Sequence, residues 1–321
     1  MGRILERCAN LALLALIGIS SGGCNDGGGI TGTAQRNSET GLHLIAPVQQ
    51  IRPPASMENS AIDGINWINY RRVQMGLPML AYSRAVSVAA TKHSDYQSTN
   101  NVVAHSEIEG KPDFFGTKLA DRFAASGVTM RPESFAYGEV ISGTKNNSGA
   151  FLADELITAI YHRYVIFEPT FTEIGAGSRT GSNNYTIFTA DFVSTNGHGP
   201  GLPLGKIAVW PYASQESVAR SFLSNREEPD PVPDTDEVGY PISAHVNLTD
   251  TLTVSSFSVR PRAGNALAVK LFDHANDART PQSAAAIIPL RPLASKTTYD
   301  VTLVGAVAGN PVNISWSFTT K

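Results

Sequence analysis

The sequence predicts an α+β layered domain followed by an all-β sandwich. Three observations lead there. Apolar residues recur at helical spacing in four segments between residues 56 and 161. Strand-like segments fill the gaps and end in an antiparallel pair. Beyond a Gly/Pro-rich break at 195–205 the pattern changes to period-two alternation and stays there. The 321 residues, 42% of them hydrophobic, suffice for two such cores.

In chain order, the first segment reads as an export signal. Arg3 and Arg7 form a basic start, and the nine-residue apolar run 11–19 is too short to span a bilayer as a helix. "SSGGC" ends at Cys24 and resembles a bacterial lipobox, in which the cysteine is lipidated; ordinary secretion with cleavage nearby is the alternative. The only cysteines are Cys8 and Cys24, so no disulfide is expected in the mature chain. Asn25 follows Cys24, and the sorting rules this resembles imply an outer-membrane lipoprotein, otherwise an extracellular protein. Net charge is -3 and no Lys/Arg block occurs, which argues against nucleic acid; any membrane attachment would be through the lipid anchor alone. The expected organisation is a signal at 1–23, a Gly/Ser/Thr tether at 24–55, the first domain at 56–195, a linker at 196–204 and the β domain at 205–321.

The first helix is expected from Ser56, its cap, to Gly76 and Pro78, with Ile62, Ile65 and Ile68 inward. A second starts near Ser83 with Val86, Ala89, Ala90 and His93 on one face. A third covers 117–127, with Leu119 and Phe123 four apart, and a fourth runs from about Ser148 to Tyr161. Strands are expected at 134–142, 171–178 and 184–193, the last two forming a hairpin through "RTGSN".

"INYRRVQMGLPML", "AATKHSDYQ", "AHSE", "DRFAASG", "GEV", "AIYHRYVIFEPTFTEIGAG" and "YTIFTADF" occur in the order and spacing of the CAP superfamily, the cysteine-rich secretory and pathogenesis-related proteins. The segment about 57–195 most resembles the disulfide-free bacterial branch. The resemblance implies a three-layer α-β-α sandwich with a central cleft. It also implies the cleft residues: His105 matches the histidine of the "HS" turn, Glu139 the glutamate of "GEN", here "GEV", and His162 the histidine of "SPGHR", here preceded by "AIY". Asp191 falls where many relatives carry a polar residue and joins the cleft set.

His105, Glu139 and His162 are expected to converge in one cleft. Two imidazoles and a carboxylate suit Zn²⁺ or another divalent cation with an open position, while a hydrogen-bonded polar cluster is the simpler reading of the same residues. His93, on an apolar face, reads as a core histidine satisfied by a backbone carbonyl. Ser106 adjoins His105, but no GxSxG elbow accompanies it, so a triad is not expected. Arg163 is expected to be solvated, with anion binding as the alternative.

The second domain shows seven short strand segments: 206–210, 242–248, 251–259, 266–272, 284–289, 297–305 and 312–320. Tyr299 at a strand entry resembles the tyrosine corner of immunoglobulin-like folds, and "SWSFTT" resembles bacterial Ig-like modules, with Trp316 and Phe318 alternating inward. The acidic, proline-bearing 226–241 reads as a solvated loop, with calcium as the alternative. The two domains are expected to fold independently. The expected function is non-catalytic binding, in the His/Glu-lined cleft, of a small or lipidic ligand, or of an envelope or host protein or glycan. A metal-dependent or acid–base hydrolase such as a peptidase is the alternative, and a spacer or adhesin the third.

Overall fold

A computed structural model describes residues 12–21, 42–49, 51–132 and 134–321. Cys24, with its proposed lipidation, and residues 22–41 of the signal and tether lie outside the described residues. No described helix is long and apolar enough to cross a membrane.

The elements in order are β1 (Ala12–Ser21), β2 (His43–Leu44), α1 (Ser60–Gln74), β3 (Ala81–Tyr82), α2 (Arg84–Asn100), α3 (Leu119–Ala125), β4 (Ser134–Thr144), α4 (Gly149–Thr158), α5 (Ile160–Ile166), β5 (Glu173–Thr180) and β6 (Thr186–Ser194). Then come β7 (Lys206–Trp210), β8 (Gln215–Val218), β9 (Ser221–Leu223), β10 (Glu237–Gly239), β11 (Ile242–His245), β12 (Leu252–Pro261), β13 (Val269–Phe272), β14 (Ala284–Pro289), β15 (Thr298–Val307) and β16 (Asn310–Thr320).

The first unit is a five-stranded sheet in the order β1-β4-β6-β5-β3 with helices on both faces. The expected hairpin is β5–β6. The apolar run at the start of the chain is its outer strand: β1 pairs antiparallel along β4, from Ala12↔Gly143 to Ser21↔Ser134. A short unbroken apolar run is compatible with a strand as well as with a signal helix.

Period-two alternation sorts the faces. Even-numbered Ala136, Val140, Phe188, Ala190 and Phe192 join the large core with α1, α4 and α5. Odd-numbered Tyr137 and Val193 pack with Val86 and Ala89 of α2 and with Leu119 and Phe123 of α3. Helix α2 lies very close to β5: a methyl on Gly175 or Gly177 would overlap the backbone of Val86–Ser87 or of Ala90–Thr91.

Two helix boundaries differ from expectation, the start of α1 and the break in the fourth helix. Asn59, not Ser56, caps α1, accepting from the N–H groups of Ala61 and Ile62; Ser56 instead donates to Asp63. Helix α2 closes on Asn101 in the left-handed region (φ 53). The expected fourth helix breaks at Ala159, which is extended, and restarts as α5, all seven residues of which are buried.

The second unit is all-β among the described residues, with a five-stranded sheet β13-β14-β11-β7-β2, a four-stranded sheet β12-β15-β16-β8 and the small pair β9–β10. Strands β8, β9 and β10 are short and lack a clear alternation, which is why the sequence did not reveal them. Trp316 and Phe318 are buried as expected. The Tyr299 hydroxyl accepts from the N–H of Ala294, five residues upstream, at 2.8 Å.

Independent folding is not what the packing suggests. A single core cluster runs through both units. Phe167 meets Trp210 at 5.2 Å between ring centroids, and Tyr161 meets Phe272 edge-on at 6.3 Å. Arg163 is neither solvated nor an anion site: fully buried, it donates to Ile157 O, Pro241 O and Ser243 Oγ across the junction. The N-terminal approach is tied in as well, because β2 pairs in parallel with β7.

Candidate functional site

The polar cluster around Glu139 forms where three elements meet. Glu139 and Asp191 are opposite each other on β4 and β6. Their odd numbers turn both toward α2 and α3, and both are completely buried. The loop after α2 brings His105 and Glu107 over this face, and α3 contributes Arg122.

His105 Nδ1 lies 2.7 Å from Glu139 Oε1, and Arg122 Nη2 donates to Glu139 Oε2 at 2.7 Å. Arg122 Nη1 also donates to His105 O at 3.0 Å, which pins the loop. Beneath them, His93 bridges Glu107 Oε1 and Ala104 O, each at 2.8 Å. The other Glu107 oxygen accepts the N–H groups of Phe115 and Gly116. The expected backbone carbonyl for His93 is thus present, with a carboxylate added. The Ala104 carbonyl can only accept, so Nε2 is the donor in that bond.

Burial alone would raise Glu139, but the Arg122 guanidinium, then His93 and His105, more than offset it and hold the carboxyl at about 2. Asp191 goes the other way. Burial and the adjacent Glu139 charge raise it well above the usual carboxylate range. Neither Asp191 oxygen has a hydrogen-bond partner among the described residues, and Glu139 lies opposite it in the sheet. Because Nδ1–H of His105 faces an ionised carboxylate, its Nε2 is an acceptor in the neutral ring. That Nε2 is itself buried and has no partner among the described residues, while the side chain as a whole is 17% exposed.

The structure therefore brings together His105, Glu139 and Asp191 but leaves His162 apart. Helix α5 belongs to the core on the opposite face of the sheet from Glu139. His162 is fully buried there, with Nδ1 3.0 Å from Glu227 Oε1 of the second unit. Glu227 also accepts the N–H groups of Ile160 and Tyr161, at 2.9 and 2.7 Å. The expected Zn²⁺ or other divalent ligand set does not form. Among the described residues no three His, Cys, Asp or Glu side chains are arranged to hold a metal ion. Both Glu139 oxygens are engaged, one of them by a guanidinium whose charge would repel a cation. Nor does the acidic 226–241 loop form a calcium cluster: Glu227 turns inward as a cap.

Arg122, Glu107 and Glu227 are the functional-site residues that sequence reasoning missed. A signal existed for Arg122, which sits next to Phe123 on the apolar side of α3 rather than among the exposed positions. For Glu227 there was none, since its partners lie over sixty residues away.

The family model of CAP, the cysteine-rich secretory protein family, matches residues 65–192. Two solved structures are similar in part. One is an extracellular protein containing a SCP domain from Bacillus anthracis str. Ames, with 22% identity and a TM-score of 0.35, over 42% of this chain and 40% of that one. The other is an outer surface protein from Borrelia burgdorferi, with 14% identity and a TM-score of 0.35, over 41% of this chain and 90% of that one. The chain thus spans well under two thirds of the Bacillus protein. No curated protein matches the sequence.

Proposed function

We propose, from the premise that residues 65–192 are a CAP domain, that the protein is exported and binds a small amphipathic or lipidic ligand at His105 without turning it over. The observation that carries this reading is the unpartnered His105 Nε2, on a side chain hydrogen-bonded to Glu139, which shares a face of β4 with Tyr137 of a half-buried apolar strip. Val128, Met130 and Tyr137 are partly buried against the α2–α3 core, and Phe135 stacks on Tyr137 at 5.9 Å. On the His105 loop itself, Val102 and Ile108 are 39% and 63% exposed. A ligand hydroxyl would donate to Nε2, and its apolar body would cover the strip.

The hydrolase alternative has less behind it. Glu139, whose carboxyl is held low, and Asp191, whose carboxyl is pushed up, resemble an acid–base pair, but both are fully buried and no nucleophile hydrogen-bonds to either among the described residues. We assign the second unit to the Ig-like sandwiches on its strand pattern and the Tyr299 hydrogen bond, and Cys24 to lipid attachment on the sequence that precedes it, so that β1 would belong to the precursor and cleavage would leave β4 as the sheet edge. Membrane fractionation of Cys24→Ala checks the latter; release of the variant but not of wild type is expected.

Titration with a fluorescent long-chain alcohol tests the binding site. Removing one hydrogen bond of about 1.4 kcal/mol should weaken binding about tenfold in His105→Ala. Equal affinity in the variant would refute the site. Hydrolysis of an ester or peptide panel that vanishes in Glu139→Gln would shift the reading to the enzyme.

A further inference from the structure

A trough runs between α1 and α4 on one side and the β8–β9 segment on the other. Its two compartments, of about 320 and 560 Å³, share Asp154, Thr158, Ala219 and Lys321. Both volumes fall in the range of small-molecule sites.

One wall is an ordered aromatic and polar array. Trp67 packs on Tyr70 at 5.3 Å and Trp210 on Tyr212 at 5.7 Å. The Arg71 guanidinium lies over Trp67, Tyr70 and Trp210 at 4.9, 5.5 and 5.7 Å. Gln74 accepts from Arg71 and donates to the hydroxyls of Tyr70 and Tyr212, at 3.0 and 3.4 Å. Asp154 receives Trp67 Nε1 at 2.9 Å, Arg71 Nε at 3.0 Å and Arg71 Nη2 at 2.9 Å, all on Oδ1. Its side chain is 45% exposed, and none of these donors reaches Oδ2.

This lining selects by chemistry. A cationic ligand finds the aromatic faces already taken by Arg71. An anion meets Asp154, Glu155 and Glu237, and a cation meets Arg220 and Lys321 in the same lining, so neither sign of charge is favoured. An apolar ligand would strip water from carboxylate, amide and hydroxyl groups without replacing their hydrogen bonds. A neutral polyhydroxylated ligand meets none of these objections. Its hydroxyls can donate to Asp154 Oδ2 and bond the tyrosine hydroxyls, while a C–H face lies on the half-buried ring of Tyr212. Two joined compartments suit more than one sugar ring.

We infer that the trough between the two units binds a neutral oligosaccharide, at a site separate from His105. Asp154→Asn is a discriminating variant, because an amide oxygen can still serve Trp67 and Arg71 while the free oxygen is replaced by a donor. Tyr212→Ala tests the stacking face. The experiment is calorimetry of the full chain with the hexamers of N-acetylglucosamine, cellobiose-type glucan and maltose-type glucan, with tryptophan fluorescence following Trp67 and Trp210. Saturable binding of at least one hexamer is expected, weakened about tenfold or more in Asp154→Asn and in Tyr212→Ala and unchanged in His105→Ala. Thermal melts of the variants establish that they are folded. No saturable binding of any hexamer, affinity unchanged in whichever variants fold, or loss in His105→Ala would overturn the inference. Because the His105 variant is predicted to lose only the alcohol, failure of one site leaves the other standing.

Discussion

Glu227 should hold the two units together, and replacing it gives the most direct test of the shared core. The side chain is 2% exposed and accepts two backbone N–H groups at the start of α5 as well as lying against His162. In Glu227→Ala two buried N–H groups lose their acceptor and His162 loses its carboxylate. Hydrogen bonds to a charged group contribute about 1.5–3 kcal/mol each, and breaking a buried pair destabilises by about 3–5 kcal/mol. Those terms overlap, so a loss of about 3–5 kcal/mol is expected, a large share of the roughly 5–15 kcal/mol typical of a folded protein. Urea unfolding followed by tryptophan fluorescence is a suitable assay, since Trp67 and Trp210 lie at the junction and Trp316 in the second unit. Wild type should unfold in one transition, and Glu227→Ala should shift its midpoint down. Glu228→Ala, at the exposed neighbouring position, should change stability by no more than about 0.5 kcal/mol. A loss below about 1 kcal/mol in Glu227→Ala, or two separate wild-type transitions, would refute the reasoning.

Glu168 should make stability depend on pH. Burial raises it from 4.5 to about 7, despite hydrogen bonds from Thr170 and Leu248 and the nearby Arg72. Between those values the folded chain keeps a proton that the unfolded chain releases, so stability falls as pH rises through the window and levels off above it. Relative to wild type, Glu168→Gln should gain on the order of 3 kcal/mol between pH 4.5 and 7; a constant difference in urea melts across that range would contradict this. Calorimetric titration with Zn²⁺ should give no saturable heat, because Arg122 occupies Glu139. Binding that His105→Ala abolishes would reinstate the metal site.

The fold was legible where local periodicity matched tertiary demand. Helices α1–α3, the β5–β6 hairpin and seven strands of the second unit fall near their expected places because one face of each is apolar. Ala159 was not legible as a break, because nothing in its own residue type demands an extended conformation. Glu139 and His105 were identified only through family resemblance, and they do meet. His162 carried the same kind of resemblance and did not join them, because β4 turns Glu139 toward α2 while α5 packs on the other side. Glu227 was read as part of a solvated loop from its acidic, proline-bearing surroundings. Composition describes the loop's average environment and cannot single out one carboxylate that turns back into a helix end.

The parallel pairing of β2 with β7 also determines how the protein bears load. His43 N–H bonds to Gly205 O and Ile45 N–H to Ile207 O, both at 2.9 Å. Tension that reaches residue 42 from the N-terminal side therefore enters the β-rich unit before it reaches α1. The two strands run the same way, so a pull along β2 loads these bonds in shear, together, rather than peeling them one at a time. A load entering at residue 42 thus meets the unit last in sequence before it meets the helices of the first.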